Sequence, residues 1–319
     1  MISNKILVKK LNYKHNGKRL DLVLSECFNL YSRSKIKKFI INGLVKVDKK
    51  KIINPDKKIF GLEHIEIKLK NKNFFLKKKK INLKIVYEDN DLIIIDKPSG
   101  LVMHHGINNK NGTLLDELIN YIPNISSIPR AGIIHRLDKN TTGLVIVAKN
   151  FFTFNKLKSY LNKKKIIRKY KAITTGKINC SGTIKSYISR HKKKRTKMSI
   201  NINKGRYSVT NYSIIKKFKY NTYIKLSLET GRTHQIRVHM SSINHPLIGD
   251  SLYGKKTNFP KNTSYNFIKK INNFNRQALH AYLIKFYHPV KLKKMIYISD
   301  IPKDMKNLIK ILKKNDNLK

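Results

Sequence analysis

The sequence is poor in cysteine, contains no tryptophan and has no long apolar run. Cys27 and Cys180 are too few and too far apart for a disulfide framework or a cysteine zinc site, which fits a reducing cytoplasm. Nowhere do about 18 apolar residues follow one another, so the sequence excludes a membrane span. The opening segment MISNKILVKK lacks the apolar stretch of a signal peptide. We therefore expect a cytoplasmic protein that is not inserted in a membrane.

Acidic side chains are scarce as well. The chain has 70 Lys and Arg against 18 Asp and Glu, a formal net charge of +52. Such a surplus attracts polyanions, of which RNA and DNA are the usual ones. Lysine supplies most of the charge in a chain that is also rich in isoleucine and asparagine, and a drift in codon usage would produce the same pattern. The sign of the charge therefore predicts a nucleic-acid partner, whereas its size carries less weight.

Motifs for nucleotide cofactors and for serine hydrolysis are also missing. Neither GxxxxGK[ST] nor GxGxxG occurs, which excludes the common phosphate-binding and dinucleotide-binding loops. The nucleophile elbow GxSxG does not occur either. If the chain is an enzyme, we expect it to work without a nucleotide cofactor.

Changes in composition and hydrophobic pattern along the chain predict two domains. Residues 17–70 form a small unit, and NKNFFLKKKK at 71–80 indicates a basic linker because four consecutive lysines suit no packed element. Residues 81–302 are rich in strand patterns, and residues 303–319 predict a C-terminal helix and a tail. We expect the larger part to be an α+β domain with a large, mainly antiparallel sheet.

The small unit is predicted to contain a basic helix. Ile36, Phe39 and Ile40 have helical spacing after Ser34, and Gly43 ends the pattern before a short strand at 44–47. The basic residues on and near this helix are Arg19, Arg33, Lys35, Lys37 and Lys38. They indicate a surface that binds nucleic acid, although such a charged helix face is as often merely solvated.

A first candidate for chemistry is AGIIHRLDKNTTGLVIVAK at residues 131–149. Asp138 lies in a polar turn just before a predicted buried strand, between Arg136 and Lys139. Nearby cations lower the pKa of a carboxyl group, which then stays ionised as a nucleophile or a charge stabiliser must. On spacing alone, a plain turn made of turn-forming residues is the simpler interpretation.

A second candidate, ETGRTHQIRVHMSSINHP at residues 229–246, is dense in hydrogen-bond donors. The donors are Arg232, His234, Gln235, Arg237 and His239. Such a density suits phosphates or a carboxylate. Zinc is the alternative, with His234, His239 and His245 as ligands, but the spacing is not that of HExxH and the basic setting opposes a divalent cation. We therefore expect no metal here.

Two further segments say little when each is taken alone. In RKYKAI, Tyr170 lies among basic residues in a predicted strand, where the ring can stack on an unstacked base or simply belong to the core. The segment IIIDKPSGLVMHHG at 93–106 predicts a strand that leads into a Pro-Gly loop, which can be only a turn.

Together and in this order, the four segments resemble the RluA-type family of pseudouridine synthases. IIIDKPSGL matches the strand-loop motif of that family, and HRLDKNTTGL matches the signature around its catalytic aspartate. RKYKAI and TGRTHQIRVHM match its tyrosine and arginine motifs. The resemblance covers residues 81–300, and residues 17–70 resemble the S-four-type RNA-binding domain that precedes some members. It implies a catalytic domain with a large mixed, mainly antiparallel sheet behind a small RNA-binding domain.

The resemblance also implies roles for single residues. Asp138 would attack the anomeric carbon of the ribose or assist proton removal at the sugar, and Arg237 would pair with it. Tyr170 would stack on the target uracil and help to remove its carbon-five proton. Arg136 would fill the gap left by the flipped uridine. The residues expected to contact RNA in the catalytic domain are Arg136, Arg232, His234 and Gln235. This isomerisation needs no cofactor and no metal.

Within the family, YSRSKIKKFI, PRAGIIHRLDK and HPLIGDSLYG are most similar to the branch that acts on large-subunit ribosomal RNA. The implied substrate is a stem-loop of 23S rRNA at the subunit interface, either free or in an assembling large ribosomal subunit. We expect a monomer. The same chemistry on another rRNA site or on tRNA remains an alternative. A non-catalytic RNA-binding or ribosome-assembly protein and a DNA-binding protein are the alternatives from other classes.

Overall fold

The computed structural model describes residues 4–28, 31, 33–70, 82–106, 109, 111–254, 259–260 and 263–316. The chain divides into two compact units, Met1–Lys79 and Lys80–Lys319. The predicted basic linker at 71–80 lies outside the described residues. The domain limits at 70 and 81 therefore stay predictions.

The first unit combines a four-stranded antiparallel sheet with two helices. Its elements are β1 (Asn4–Lys10), α1 (Leu20–Cys27), α2 (Arg33–Ile41), β2 (Val45–Val47), β3 (Lys50–Ile52) and β4 (His64–Lys70). The strand order is β1-β4-β2-β3. Helices and sheet share an apolar core that includes Leu20, Leu24, Ile36, Ile40, Val45 and Ile67.

The basic helix and the strand after it are present in this unit. Ile36, Phe39 and Ile40 are buried in α2, and Gly43 follows the helix in the left-handed region at φ +65°. Strand β1 differs from the expectation because it precedes residue 17 and pairs with β4 along its whole length. Its Ile6 and Val8 side chains are half exposed, so the segment has no clear buried face to mark it as a strand.

The second unit is built on one ten-stranded sheet. Its strands are β5 (Ile85–Glu88), β6 (Leu92–Lys97), β7 (Thr142–Ala148), β8 (Ile167–Thr175), β9 (Gly182–Arg190), β10 (Met198–Asn201), β11 (Arg206–Lys217), β12 (Asn221–Leu228), β13 (Leu279–Tyr287) and β14 (Lys294–Ile298). The order is β10-β9-β11-β12-β8-β13-β7-β6-β5, and β14 pairs with β13. Among the described strand pairs, β7 with β13 is parallel and the others are antiparallel. The predicted mixed, mainly antiparallel sheet is confirmed.

Five α-helices accompany this sheet in the part of the unit that the structure describes. They are α3 (Leu114–Tyr121), α4 (Phe151–Asn162), α5 (Gln235–Ser242), α6 (Tyr265–Asn272) and α7 (Lys303–Asp316). The Thr113 side chain caps α3 as expected, since its hydroxyl accepts from the Asp116 amide. The C-terminal helix α7 is part of this unit rather than an appendage, because Met305 and Leu308 are buried in one cluster with Ile173 of the sheet. None of the helices in the described ranges is long and apolar enough to cross a bilayer.

Strand β7 anchors the segment that carries Asp138. All seven residues of β7 are buried, because the strand lies in the interior of the sheet between β6 and β13. Gly143 has φ +114°, and a Cβ there would lie 2.2 Å from the Ala281 carbonyl oxygen of β13. Only glycine permits this close approach. The turn at 138–141 therefore enters a rigid strand at a fixed place.

Candidate active site

An open cleft of about 1240 Å³ in the second unit gathers the motif residues. The turn before β7, strand β8 and the start of α5 all contribute to its walls. The cationic residues that line it are Arg130, Arg136, Lys158, Lys164, Arg168, Arg190, Arg206, Arg232 and Arg237. Its acidic lining residues are Asp138 and Glu229. The cleft is therefore strongly basic, as a binding site for a polyanion must be.

Asp138 presents its carboxylate to this cleft while its backbone closes the turn. The Thr141 amide donates to the Asp138 carbonyl oxygen at 3.1 Å. The side chain is only 14% exposed, and Nη1 of Arg237 donates to Oδ2 at 2.9 Å. A carboxylate that is shielded from water and accepts a charge-assisted hydrogen bond from a guanidinium is held in one orientation.

Arg237 is in turn held by a second carboxylate. Its Nε and Nη2 atoms donate to the two oxygens of Asp250 at 2.7 and 2.8 Å, and the Asp250 side chain is fully buried. Burial would lower the pKa of Arg237, but the hydrogen bonds and the charges of Asp250 and Asp138 raise it above its usual value. The Cζ atom of the guanidinium lies over the Tyr253 ring, 5.0 Å from the ring centroid. Arg237 is thus a fixed cation between two carboxylates.

Asp250 escaped the sequence analysis, although its segment HPLIGDSLYG was used for the resemblance. The backbone amides of Leu252 and Tyr253 each donate to its Oδ1 atom at 3.0 Å. Burial alone would raise the pKa of Asp250, and the hydrogen bonds from Arg237 and from these amides outweigh burial and lower it. A signal existed in the sequence, since Gly-Asp-Ser is a turn in which an Asp side chain bonds the backbone two residues on.

His234 lies next to the carboxylate rather than at the rim of the cleft. It adopts the left-handed conformation (φ 55°) immediately before α5. Its Nε2 atom is 3.9 Å from Oδ1 of Asp138, and its Nδ1 atom shares a 2.8 Å hydrogen bond with the Tyr253 hydroxyl. Burial lowers the pKa of His234 more than the charge of Asp138 raises it. The imidazole is therefore neutral at pH 7. It lies beside the Asp138 carboxylate, whether or not it also contacts RNA.

Lys97, at the end of β6, ties the Pro-Gly loop to the Asp138 turn. Its fully buried ammonium group donates to the carbonyl oxygens of Pro98, Leu101 and Lys139 at 2.8, 3.0 and 2.9 Å. Burial lowers the pKa of Lys97 to about 7, against the charge of Asp138, which raises it. This lysine belongs to the IIIDKPSGL motif, but its role was not predictable because nothing in the local pattern shows what a strand-end lysine reaches.

Two consecutive residues before β13 hold the other side of the same turn. Nη1 of Arg276 donates to the Asn140 carbonyl oxygen at 3.2 Å, and the Gln277 amide donates to the Thr141 hydroxyl at 3.0 Å. Arg276 is itself oriented by Asp304 of α7, through hydrogen bonds of 2.6 and 2.9 Å. The residues that follow Asp138 are thus fixed from both sides.

Tyr170 and Arg168 line the cleft from the same face of β8. Their side chains are two residues apart in the strand and are 4% and 6% exposed. Burial raises the pKa of the Tyr170 hydroxyl, so the phenol is neutral at pH 7. The structure brings the Tyr170 ring into the cleft with Asp138, where it can pack on a base. Arg168 was not singled out from the sequence.

The remaining residues expected to contact RNA in this unit divide into two groups. Arg136 is exposed and lines the cleft, and Arg232 lines it while its Nε atom donates to the Tyr207 carbonyl oxygen at 3.3 Å. Gln235 is 2% exposed, and its amide donates to Val209 and Thr210. Its Oε1 atom accepts from the Arg232 amide and from the Thr230 hydroxyl. Gln235 therefore fixes the Arg232 loop, and the expectation that it contacts RNA directly needs correction.

The three histidines considered for zinc do not share a ligand site. His239 bonds the hydroxyls of Thr210 and Ser186, and His245 bonds the Thr175 carbonyl oxygen, while His234 bonds Tyr253. Burial lowers the pKa of His239 to about 4, which keeps it neutral. Both ring nitrogens of His239, and the Nδ1 atoms of His234 and His245, are thus used in hydrogen bonds within the protein.

A different acidic group, Asp89 with Asp91 and His288, has its donor atoms close together. The amides of Val290 and Lys291 donate to Nδ1 of His288, so the proton of the neutral ring is on Nε2 and points to Asp89. The Nε2 atom therefore has no lone pair for a metal ion. Hydrogen bonds within the protein explain why these three side chains lie close together.

In the first unit, the predicted basic surface is organised around a buried carboxylate. Arg33 donates to Asp21 at 2.8 Å, Arg19 contacts both Asp21 and Asp56, and the Lys37 ammonium is 3.5 Å from Asp21. Burial would raise the pKa of Asp21, but these arginines lower it to about 2. The two lysines outside this group are Lys35, which lies over the Phe39 ring, and Lys38, which is exposed.

Comparison with known proteins agrees with this geometry. The family model described as RNA pseudouridylate synthase matches residues 91–242, and that of the S4 domain matches residues 18–59. The protein named ribosomal large subunit pseudouridine synthase D is 46% identical in Yersinia pestis and 44% identical in Escherichia coli K12. Each match covers 93% of this chain and 91% of the relative.

A solved structure shows the same fold at lower identity. Human RNA pseudouridylate synthase domain containing 4 matches with a TM-score of 0.56 at 22% identity, over 72% of this chain and 92% of the human one. The predicted family and its large-subunit branch are confirmed by these relatives. The chain belongs to the RNA pseudouridylate synthase family and carries an S4 domain in front of its synthase domain.

Proposed function

We propose that this pseudouridine synthase isomerises uridines of 23S rRNA, in a stem-loop at the subunit interface, on free RNA or on an assembling large subunit. The names of relatives that are 44–46% identical over almost the whole chain support the large-subunit substrate. The observation that carries the chemistry is the buried row Asp138–Arg237–Asp250 at the base of a basic cleft. A protein that only bound RNA would have no need of an ionised carboxylate in that cleft.

Asp138 acts on the ribose of the target uridine. Its ionised carboxylate either attacks the anomeric carbon or assists removal of a proton from the sugar, and in both routes the bond between ribose and uracil breaks. Arg237 supports either route, because a charge-assisted hydrogen bond keeps the carboxylate ionised and aimed. The base then turns and is rejoined through its carbon five.

Tyr170 and Arg136 handle the target base and the gap it leaves. The buried Tyr170 ring packs on the flipped uracil, and its hydroxyl donates a hydrogen bond or relays a proton from carbon five. Arg136 is exposed at the rim, where it fills the vacated place in the RNA stack. Arg232 holds the adjacent backbone, with Gln235 as its support.

The remaining features of the proposal follow from the reaction and the charge. The isomerisation exchanges no electrons or groups with another molecule, so Asp138 and its neighbours need no cofactor or metal. The S4 domain supplies affinity through Arg19, Arg33, Lys35, Lys37 and Lys38, while the synthase domain carries out the chemistry. We expect the protein to act as a monomer in the cytoplasm.

Pseudouridine mapping of rRNA after incubation with the purified protein tests this function, with Asp138→Asn alongside. The wild type should modify the interface stem-loop, and the variant should bind RNA without forming product, because an amide cannot replace the carboxylate in either route. Modification of another rRNA site or of tRNA would keep the chemistry and discard the substrate. Tight RNA binding without any product would favour a non-catalytic binding or assembly protein, and preference for DNA would contradict both.

A further inference from the structure

Three arginines are buried in the described part of the chain, and only one lacks a carboxylate. Arg237 pairs with Asp138 and Asp250, and Arg276 pairs with Asp304. Arg168 is just as buried, at 6% exposure, but the ion pairs among the described residues include none for it. Its Nε atom is buried without a hydrogen-bond partner in the same set of residues.

An unpaired guanidinium in such a place is costly for the folded protein. A guanidinium is always charged in proteins, and a buried charge is stable only when an opposite charge or several hydrogen bonds compensate it. The carboxylates of the cleft are occupied, because Asp138 is bound by Arg237 and Glu229 accepts from Lys164 and Asn211. The cleft carboxylates thus leave the Arg168 guanidinium available for a negative charge of the substrate.

The position of Arg168 indicates which part of the substrate it meets. It lies two residues before Tyr170 on the same face of β8, and both side chains line the cleft. Gly231 leaves room for it, since a Cβ at Gly231 would come within 2.6 Å of the Arg168 Nη1 atom. Arg168 thus shares a strand face with the ring on which the target uracil packs, and both are among the most buried residues of the cleft rather than at its rim.

We propose that Arg168 is a catalytic residue that stabilises the negative charge of the detached uracil, and this rests on the function proposed above. When the bond between N1 and the anomeric carbon breaks, the base keeps the bonding electron pair, which spreads onto O2 and O4. When carbon five bonds to the anomeric carbon, the base gives up that charge; it then loses its carbon-five proton and gains a proton on N1, which is no longer bonded to the sugar. A cation fixed beside the base stabilises the charged stage more than the starting uridine, which is what lowers a barrier.

The test compares Arg168→Gln and Arg168→Lys with Lys169→Gln, a matched control on the same strand with its side chain on the opposite face. In single-turnover reactions on rRNA fragments, Arg168→Gln should be slower by roughly 100- to 1000-fold, while its RNA Kd stays within about twofold. Arg168→Lys should lie between it and the wild type, and Lys169→Gln should react like the wild type. A wild-type rate for Arg168→Gln would overturn the proposal.

Thermal unfolding separates this role from a structural one. Removing an unpaired buried charge should leave the Tm of Arg168→Gln unchanged or raised, whereas Arg276→Gln, which breaks the pair with Asp304, should lower it. A loss of Tm for Arg168→Gln as large as that for Arg276→Gln would assign Arg168 to the fold. Arg168→Lys, which retains the charge, would still report on catalysis if the Gln variant failed to fold.

RNA with 5-fluorouridine at the target position identifies the source of the charge. Fluorine withdraws electrons and stabilises the detached base, so the defect of Arg168→Gln in breaking the base–ribose bond should shrink by about tenfold or more. An equal defect on both RNAs, together with a weakened Kd, would mean that Arg168 binds a phosphate instead. A wild type that forms no pseudouridine in any RNA would overturn the proposed function and this inference with it, whereas an active wild type with an equally active Arg168→Gln would overturn this inference alone.

Discussion

The Asp138 carboxylate keeps its orientation because its partner Arg237 is itself fixed on the far side. A guanidinium that bonded only Asp138 could follow the carboxylate as it moved toward a ribose. Asp250 prevents this, since it accepts two hydrogen bonds from Arg237 and is itself held by the amides of Leu252 and Tyr253. In the proposed reaction, the orientation of Asp138 toward the sugar is therefore set by Asp250, whose side chain is fully buried.

We expect Asp250→Asn to reduce both stability and turnover. The substitution leaves the buried Arg237 cation with one carboxylate and should lower the free energy of unfolding by about 3–5 kcal/mol. Turnover should fall while the RNA Kd changes little, because Asp138 loses its orientation and the outer RNA contacts stay intact. Urea unfolding and single-turnover kinetics measure the two effects, and normal turnover in a folded Asp250→Asn would contradict this positioning role.

The stability difference should also depend on pH in a defined direction. The pKa of Asp250 is lowered in the folded protein because the hydrogen bonds from Arg237 outweigh burial. A lowered folded-state pKa stabilises the fold above the pKa of the unfolded chain, about 3.9, and this stabilisation is lost as pH falls through the folded-state value. Asp250→Asn should therefore differ fully from wild type at pH 7 and progressively less below about pH 4. Asp300→Asn, at an exposed ion pair with Lys306, serves as the control and should cost at most about 1 kcal/mol.

Tyr170→Phe separates the packing of the ring from the chemistry of its hydroxyl. The substitution keeps the buried ring, so RNA binding and base flipping should be unchanged. If the hydroxyl takes part in removing the carbon-five proton, product formation should fall by roughly 100-fold or more while cleavage of the base–ribose bond continues. Rapid-quench analysis of the two steps makes the distinction, and a wild-type rate of product formation would leave the hydroxyl without a chemical role.

Single residues differ in how far sequence alone reveals them. Asp138 and Arg237 were found because each lies in a dense, recognisable segment, although the contact between them spans 99 residues and required the resemblance. Asp250, Arg276 and Lys97 were missed because, besides local contacts, each has a partner in a distant segment that only the fold brings close: Arg237, Asp304 and the Lys139 carbonyl oxygen. A lone charged residue at a strand end gives no local signal of this kind.

At the scale of elements, the short loop at 138–141 is held in place by hydrogen bonds from neighbouring segments on both sides. Lys97 of β6 bonds the carbonyl oxygen of Lys139, and Arg276 before β13 bonds that of Asn140. The two strands that flank β7 thus each supply one cation to the turn that enters it. Helix α7 joins this arrangement, because Asp304 in its first turn orients Arg276.

Asp304→Ala should therefore affect a reaction to which α7 contributes no cleft-lining residue. The buried Arg276 guanidinium loses its carboxylate, at a cost of roughly 1–3 kcal/mol, less than for a fully buried pair because Asp304 is nearly half exposed. With a less rigid turn, turnover should drop by about tenfold while RNA affinity is kept. Asn307→Ala, an exposed position of the same helix, is the control. Equal turnover in both variants would show that the turn does not depend on α7.

Elements were predictable where one face is buried and the segment is local. The spacing of Ile36, Phe39 and Ile40 gave α2, and the apolar run before Lys149 gave β7. The strand order was not predictable from pattern, because the pairing of β7 with β6 and β13 depends on segments up to 138 residues apart, such as Thr142 and His280. The strand patterns and the resemblance both supplied the sheet class, and only the structure supplied the order.

At the scale of the whole molecule, the positive charges that form specific basic sites must be distinguished from those that do not. The synthase cleft and the Asp21 cluster of the S4 domain are basic in specific places, whereas many lysines lie on surfaces with no apparent site, such as the last turn of α7. Each phosphate that the protein neutralises releases counterions, so the affinity for RNA falls more steeply with salt when more phosphates are neutralised. Comparing lysines of equal charge at different places can therefore show whether position matters.

The double variant Lys35→Gln/Lys38→Gln in α2 should bind RNA more weakly and with a smaller salt dependence. The slope of log K against log salt should change by about one for each phosphate that the variant no longer neutralises. Turnover at saturating RNA should stay unchanged, because these residues belong to the S4 domain and not to the cleft. The control variant Lys313→Gln/Lys314→Gln at the end of α7 removes the same charge and should leave the slope nearly unchanged.

If both double variants lowered the slope equally, the net charge of the chain would account for RNA affinity, and α2 would be no more than a solvated basic helix. A change confined to the α2 variant would instead mean that the S4 domain grips the RNA backbone with this helix, and that the excess lysine elsewhere arose without selection for binding.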